Sequence, residues 1–410
     1  MTKRSFIVGI DVGTAEVRVG LREPRPDGTL NRIGLGLSPS NGVRKGVIVD
    51  LDKTVESIVS AVEEAERMAG FKIESAYVGL KGLNIDLINN RGVVAVTSDD
   101  REIREDDLER VMQAARVVAL PMDREIVDII PREFIVDGFD GIRDPVGMLG
   151  VRLEVDAQVV TSLITSLHNL LRCINRAGVT INGLVLQAMA NSEISLSPDE
   201  RDLGAFLLDI GGGTTEISLF QHGKLQKLAV VPVGGDHITT DLAAGLRINY
   251  FKAEELKINY GSALLSLAES EPKIEIQNLG SNELRLVSER ELTSYIEPRI
   301  QEIFQIAKEE ISKMGWSYLP PAGIVLRGGV SSMKGIVEVA RLSMESDQVR
   351  LADFDVAGIQ NPAYSTVAGL LYYVQRYQPR MHIQERGKPT RKRGPGLWQR
   401  IKDWLADIVD

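Results

Sequence analysis

The chain has 410 residues, 43% apolar and 26% charged, with one cysteine and four scattered histidines. That length exceeds what one hydrophobic core usually supports, so two or more domains are expected. The composition excludes a disulfide scaffold and a histidine/cysteine zinc site, and no stretch reaches the ~18 apolar residues of a membrane-spanning helix. Net charge is −9, but residues 386–402 carry seven bases and no acid, leaving −16 for the rest. An acidic body with a short basic tail is not the pattern of a nucleic-acid binder.

Met1–Arg4 runs straight into the strand-like Phe6-Ile7-Val8-Gly9 without a signal-peptide pattern, so a cytosolic chain is expected. Phe6, Val8 and Ile10 alternate, and Val17, Val19 and Leu21 resume the alternation after a glycine-containing turn. Val55–Ala69 has helical periodicity, closed by Gly70 as a C-cap. Val78–Ser98 reads as strands with Asn89-Asn90-Arg91-Gly92 at a turn, and Asp99–Val118 as a helix stopped by Pro121. Leu163–Ala177 is a further helix, with Cys173 in its apolar run as a core residue. Ala205–Leu208 opens a second half as a buried strand. Residues 231–310 read as mainly helical with a strand region near 273–287, Gly323–Leu326 as strand and Tyr364–Tyr377 as a closing helix. From Gln378 to Pro395, proline, glycine and basic residues mark a linker.

One repeat organises the chain. Ile10-Asp11-Val12-Gly13-Thr14 recurs as Leu208-Asp209-Ile210-Gly211-Gly212-Gly213-Thr214, with strands on both sides of each copy and Asp11 and Asp209 standing 198 positions apart. In such a hairpin, glycines let bare backbone N–H groups approach an anion, and threonine hydroxyls add donors. The aspartate serves phosphate binding only through a cation, so Asp11 and Asp209 fit the water shell of a bound Mg²⁺. There is no Gly-x4-Gly-Lys-Ser/Thr, and neither hairpin gives Gly-x-Gly-x-x-Gly opening a helix, which sets aside P-loop and Rossmann readings. Gly323-Ile-Val-Leu-Arg-Gly328-Gly329-Val-Ser331-Ser332 reads as a buried strand, a glycine turn and a helix N-cap, a place where backbone can lie against an adenine or a phosphate. Ala253-Glu254-Glu255-Leu256-Lys257 puts Glu254 and Lys257 on one helical face, which by itself is a solvated ion pair.

These four elements in this order resemble the phosphate and adenosine motifs of the actin, Hsp70 and sugar-kinase superfamily. Within it the chain resembles the FtsA family of bacterial cell-division proteins over residues ~5–375. Lys45–Asp50, Val231–Gly235 and Ile296–Arg299 are family-typical stretches outside the site. The resemblance implies an α/β, actin-like (ribonuclease-H-like, duplicated) ATPase fold of two large domains, each with a smaller subdomain, around a nucleotide cleft. It divides the chain into a first domain (1–82 and 161–203), an inserted FtsA-type subdomain (83–160), a second domain (204–230 and 311–377) and its subdomain (231–310). A linker (378–395) and an amphipathic helix (396–410) follow. It also implies ATP and Mg²⁺ as ligands: Gly13, Thr14, Gly212, Gly213 and Thr214 on phosphates, and Asp11 and Asp209 toward the metal. Glu254 and Lys257 would reach the ribose, and Gly328, Gly329 and Ser332 the base. Gln187 sits where such ATPases place a water-positioning residue, or is a helix-end glutamine with no catalytic part, so hydrolysis is expected to be weak or absent. Arg299 and Glu302 are implied contacts for the tubulin-like partner FtsZ, or else an exposed i,i+3 ion pair.

In the tail, Leu397, Trp398, Ile401, Trp404, Leu405, Ile408 and Val409 form one apolar stripe at helical spacing, next to the basic run. Tryptophan with lysine and arginine suits an anionic lipid surface, and one short helix binds it only marginally. Stable attachment therefore calls for many copies acting together. The expected protein is an ATP-binding filament former on the cytoplasmic face of the membrane at the division site, anchoring FtsZ. The rivals are a scaffold of another membrane machine, of the pilus-assembly type, and a sugar or acid kinase using Asp209 as base.

Overall fold

A computed structural model describes residues 6–24, 30–82, 84–280, 284–316, 318–353 and 364–377. The linker and the apolar tail stripe therefore lie outside the described residues. The chain opens with β1 (Ile7–Val12), β2 (Glu16–Pro24), β3 (Leu30–Pro39), the short pair β4 (Val43–Arg44) and β5 (Val47–Ile48), α1 (Leu51–Ala69) and β6 (Ser75–Leu80). β7 (Ile85–Ala95), α2 (Glu105–Ala115), β8 (Arg124–Val136), β9 (Phe139–Ile142) and β10 (Arg152–Leu163) follow as a separate unit. α3 (Ile164–Arg176), β11 (Thr180–Leu186), α4 (Gln187–Ser195) and α5 (Pro198–Leu203) return to the first sheet, whose strand order is β11-β6-β1-β2-β3.

The second half repeats the plan. β12 (Ala205–Ile210), β13 (Thr215–Gln221) and β14 (Lys224–Val231) precede α6 (Gly235–Leu246), α7 (Tyr250–Tyr260), β15 (Ile274–Gln277), β16 (Leu284–Val287) and α8 (Glu289–Lys313). β17 (Ile324–Arg327), α9 (Ile336–Met344), β18 (Val349–Leu351) and α10 (Ser365–Tyr377) close the fold, in the sheet β14-β13-β12-β17-β18. In each half a hairpin lies antiparallel within the sheet and a later strand joins it parallel: β1 pairs β2 and β6, and β12 pairs β13 and β17. Every residue of β12 is buried, Asp209 included, as the apolar run Ala205–Leu208 requires of a strand covered on both faces.

Local signals explain the helix ends. Asp50 accepts from Lys53 N–H at the start of α1, and Gly70 closes it with φ +79° and an N–H donated to Glu66 O. α1 lies directly on β3 because Gly36 has no side chain; a Cβ there would stand 1.9 Å from Ala61 O. Cys173 is buried and free within α3.

Three expectations need correction. Asn89-Asn90-Arg91-Gly92 is not a turn: β7 runs through it, paired with β10 along its length. The glycine is required by α2, since a Cβ on Gly92 would stand 2.3 Å from Val111 O. α2 itself spans Glu105–Ala115 and not Asp99–Val118, because the acidic lead-in forms a turn, with Arg101 N–H donating to Ser98 O and Arg101 at φ +58°, and Glu102 then bridges Leu149. After Gly328 the chain makes a 3₁₀ turn, Gly329–Ser332, and the next helix starts only at Ile336.

Candidate functional site

The duplication is exact at the turns. Gly13 N–H donates to Glu16 O at 3.0 Å, and 198 positions later Gly211 N–H donates to Thr214 O at 2.9 Å. The two tips face each other closely. A Cβ on Gly213 would stand 2.8 Å from Thr14 Oγ1, and one on Gly212 would stand 3.1 Å from Ala15 Cβ. Gly46 N–H donates to Thr14 Oγ1 at 3.0 Å, fixing the first tip from the side. Between the tips and the second-half helices opens a cavity of about 720 Å³. Asp11, Gly13, Thr14, Gln187, Asp209 and Gly212 line it, as do Gly213, Thr214, Glu254, Lys257, Gly328, Gly329 and Ser332. The structure thus brings together all the site residues expected on the hairpins, the glycine turn and α7. Its size falls in the range of small-ligand sites.

The carboxylates are held by partners that no local pattern announced. Arg18 Nη1 donates to Asp11 Oδ2 at 3.0 Å and Arg18 Nη2 to Glu16 at 2.8 Å. Gln187, buried at the start of α4, donates its amide to Asp11 Oδ1, so it holds the aspartate as well as lining the cavity. Asp209 Oδ2 accepts from Lys81 Nζ at 2.7 Å and from Asn191 Nδ2 at 3.1 Å, while Arg327 Nε stands 3.8 Å from Oδ1. Burial opposes ionisation of Asp209, but Lys81, Arg327 and Arg18 outweigh it and draw the carboxyl down to about 2. Cross-strand from Asp209 lies Glu216, where burial is the largest effect and the neighbouring carboxylates add to it, pushing it up to about 7. Arg327 also donates to Asn191 O, Ser195, Ser365 and Thr366, tying the second half to α4 and α10.

On α7, Lys257 Nζ bonds Glu254 at 2.7 Å and donates to Thr239 Oγ1 at 2.8 Å and Gly235 O at 3.1 Å. The i,i+3 pair is therefore part of a fixed network at the cavity wall and not a loose surface pair. Asp236 lines the same wall, its carboxyl raised by burial. Arg299 lies elsewhere, on α8. It bonds Asp241 at 2.6 and 3.1 Å and pairs with Glu302, so the i,i+3 geometry exists and its arginine is further tied to α6.

Exposed backbone amides, hydroxyls and cationic side chains around a walled cavity suit a polyanion. A magnesium ion fits the two carboxylates only with other ligands. Among the described residues no group of three or more acidic, histidine or cysteine side chains converges on a point, so a phosphate and waters would have to complete its shell.

The arrangement has relatives. Residues 206–369 match the family model "Cell division protein FtsA", and residues 82–161 match "SHS2 domain inserted in FTSA". The cell division protein FtsA of Bacillus subtilis (strain 168) is 43% identical over 376 residues, covering 92% of this chain and 85% of that protein. That of Pseudomonas aeruginosa is 39% identical over 408 residues, covering 98% of this chain and 97% of that one. The chain belongs to the FtsA family of cell division proteins. Solved structures share the fold at much lower identity. The PilM-PilN type IV pilus biogenesis complex superposes with a TM-score of 0.63 at 16% identity, over 90% of this chain and 99% of that one. Spiroplasma citri MreB5 bound to ADP superposes with a TM-score of 0.54 at 14% identity, over 90% of this chain and 96% of that one. The fold of this FtsA-family chain is accordingly the actin-like one expected from the duplicated hairpins.

Missing from the expected site were Arg18, Lys81, Asn191, Glu216 and Arg327. Two of them could have been found from the repeat, because the offset of 198 that maps Asp11 onto Asp209 maps Arg18 onto Glu216.

Proposed function

We propose that this chain binds ATP with Mg²⁺ in the two-hairpin cleft and, as a filament on the cytoplasmic face of the membrane, anchors a tubulin-like FtsZ ring during cell division. The observation that carries the nucleotide reading is that the two glycine-threonine tips meet and together line one cavity. The MreB5 relatives of the same fold are bound to ADP and to AMPPNP, which supports the reading. Gly13, Thr14, Gly212, Gly213 and Thr214 would hold phosphates, with Asp11 and Asp209 toward Mg²⁺ through water. Glu254 and Lys257 would face the ribose, and Gly328, Gly329 and Ser332 the base. Arg299 and Glu302 would meet FtsZ, and the stripe Leu397–Val409 would enter an anionic leaflet. The body would divide as two large domains, with the unit at 83–160 and the helical part at 231–310 as their subdomains.

The kinase alternative is disfavoured by Asp209 itself. A general base works best with a pKa near the operating pH, and cations draw this carboxyl in the opposite direction. Gln187 as a water-positioning group competes with its bond to Asp11, which favours binding with slow hydrolysis.

Thermal unfolding of the full chain with rising ATP tests the cleft. At ATP 100-fold above its Kd, binding adds about 2.7 kcal/mol, so the melting temperature should climb with ATP–Mg²⁺ and climb less with EDTA present. No shift, together with no heat on calorimetric titration, sinks the nucleotide reading.

A further inference from the structure

We propose that Lys81 reads the terminal phosphate of the bound nucleotide, making this chain's cleft favour a triphosphate over a diphosphate. The inference rests on the nucleotide reading above and adds a specificity-determining residue to it. Lys81 directly follows β6, which pairs parallel with β1, so its side chain leaves the carboxyl end of the sheet where ligands of such sheets collect. From there it crosses to the other half of the fold and meets Asp209 at 2.7 Å. Its ammonium also hangs over the second turn: a Cβ on Gly211 would stand 3.8 Å from Nζ.

Three cations surround the paired aspartates, and two are fixed. Arg327 is fully buried and tied to Asn191, Ser195, Ser365 and Thr366. Arg18 also lines the cavity and is 18% exposed, but both arms of its guanidinium are engaged, on Asp11 and Glu16. Lys81 keeps a side chain 21% exposed, lines the cavity, and ends in a compact charge on a flexible stem. It can turn to an incoming anion without abandoning Asp209, which keeps Asn191 at 3.1 Å and the Arg327 charge at 3.8 Å. A triphosphate brings a further charged group to the hairpin side of the cleft, and a charge-assisted bond there is stronger than a neutral one. The competing role is a strut that merely joins the halves, which would act on every nucleotide alike.

The test is calorimetric titration of the full chain with ATP and with ADP, each with Mg²⁺, for the wild type, Lys81→Met, Lys81→Gln and Lys81→Arg. Lys81→Gln keeps a donor for Asp209 should Lys81→Met fold poorly, and thermal unfolding without ligand checks both. Loss of the charge should weaken ATP about tenfold or more while ADP changes less than about threefold, and Lys81→Arg should retain the wild-type ratio. Equal losses for ATP and ADP, or no loss for either, overturn the inference and leave the nucleotide reading standing. A wild type that binds neither nucleotide overturns both.

Discussion

Gly328 and Gly329 are neighbours with opposite demands, and substituting them one at a time separates the fold from the site. Gly328 has φ +91° and ψ 171°, a region open essentially to glycine alone. A Cβ there would stand 2.4 Å from Ile210 O, a backbone atom, and 2.6 Å from Asp209 Oδ1, on a carboxylate already held by Lys81 and Asn191. Backbone strain of ~1–3 kcal/mol and overpacking of ~1–3 kcal/mol make Gly328→Ala costly by about 2–6 kcal/mol. For a chain of this length that cost corresponds to a melting temperature lower by roughly 5 °C. Gly329 lines the cavity, yet nothing lies within 4 Å of a Cβ built on it. Gly329→Val should therefore change stability by no more than about 0.5 kcal/mol while its isopropyl group takes space meant for ligand, weakening ATP about tenfold. Scanning calorimetry without nucleotide and ATP titration of the folded variants give the two readouts. If Gly328→Ala melts like the wild type, the steric reasoning is wrong; if Gly329→Val binds ATP like the wild type, that turn does not border the nucleotide.

Glu216→Gln should stabilise the metal-free protein at pH 8 and change little near pH 4.5. A carboxyl raised from 4.5 to about 7 contributes stability below its unfolded value that is lost as pH rises through 7, a loss of at most ~3 kcal/mol that the amide avoids. Urea unfolding in EDTA at both pH values checks this, and an equal effect at the two would refute it. Deleting Gly396–Asp410, or placing a carboxylate in the stripe with Trp404→Glu, should release the chain from anionic vesicles and leave ATP binding intact. Unchanged flotation, or a lower melting temperature for Trp404→Glu, would mean that the helix packs on the body.

What the sequence made legible is what repeats or is local. The two Asp-x-Gly hairpins, the capped helix α1 and the Leu326-Arg327-Gly328-Gly329 turn each carry their signal within a few residues. Lys81 carries none. In Leu80-Lys81-Gly82 it reads as a lysine at a strand end, and its role arises from a contact with a residue 128 positions away. Asn191 and Arg327 are hidden for the same reason, because their partners are supplied by docking the halves rather than by spacing along one element. The mistaken turn at Asn89–Gly92 has a related cause. Asn and Gly there serve tertiary contacts: Asn90 Nδ2 donates to Ala115 O at 2.8 Å, and Gly92 admits the helix, so turn-like composition marks a helix seat within a strand.

The two hairpins pair alike but differ in the residue opposite the aspartate, and that difference decides where the second aspartate finds its compensating charge. Were both hairpins to keep the pairing of the first, Asp11 opposite Arg18, each carboxylate would be neutralised within its own half. In the second hairpin Glu216 stands opposite Asp209 instead, adding a like charge where a cation would balance the strand. Balance must then come from elsewhere, and it does so from β17 with Arg327 and from across the cleft with Lys81. The second aspartate thus has Arg327 from its own sheet and gains Lys81 only when the two halves sit together, since Lys81 belongs to one and Asp209 to the other. Docking the halves therefore brings the two tips together and adds Lys81 to the cations around the carboxylate in a single step. A ligand that draws Lys81 toward itself acts on one of the contacts between the halves, while those of Asn191 and Arg327 remain.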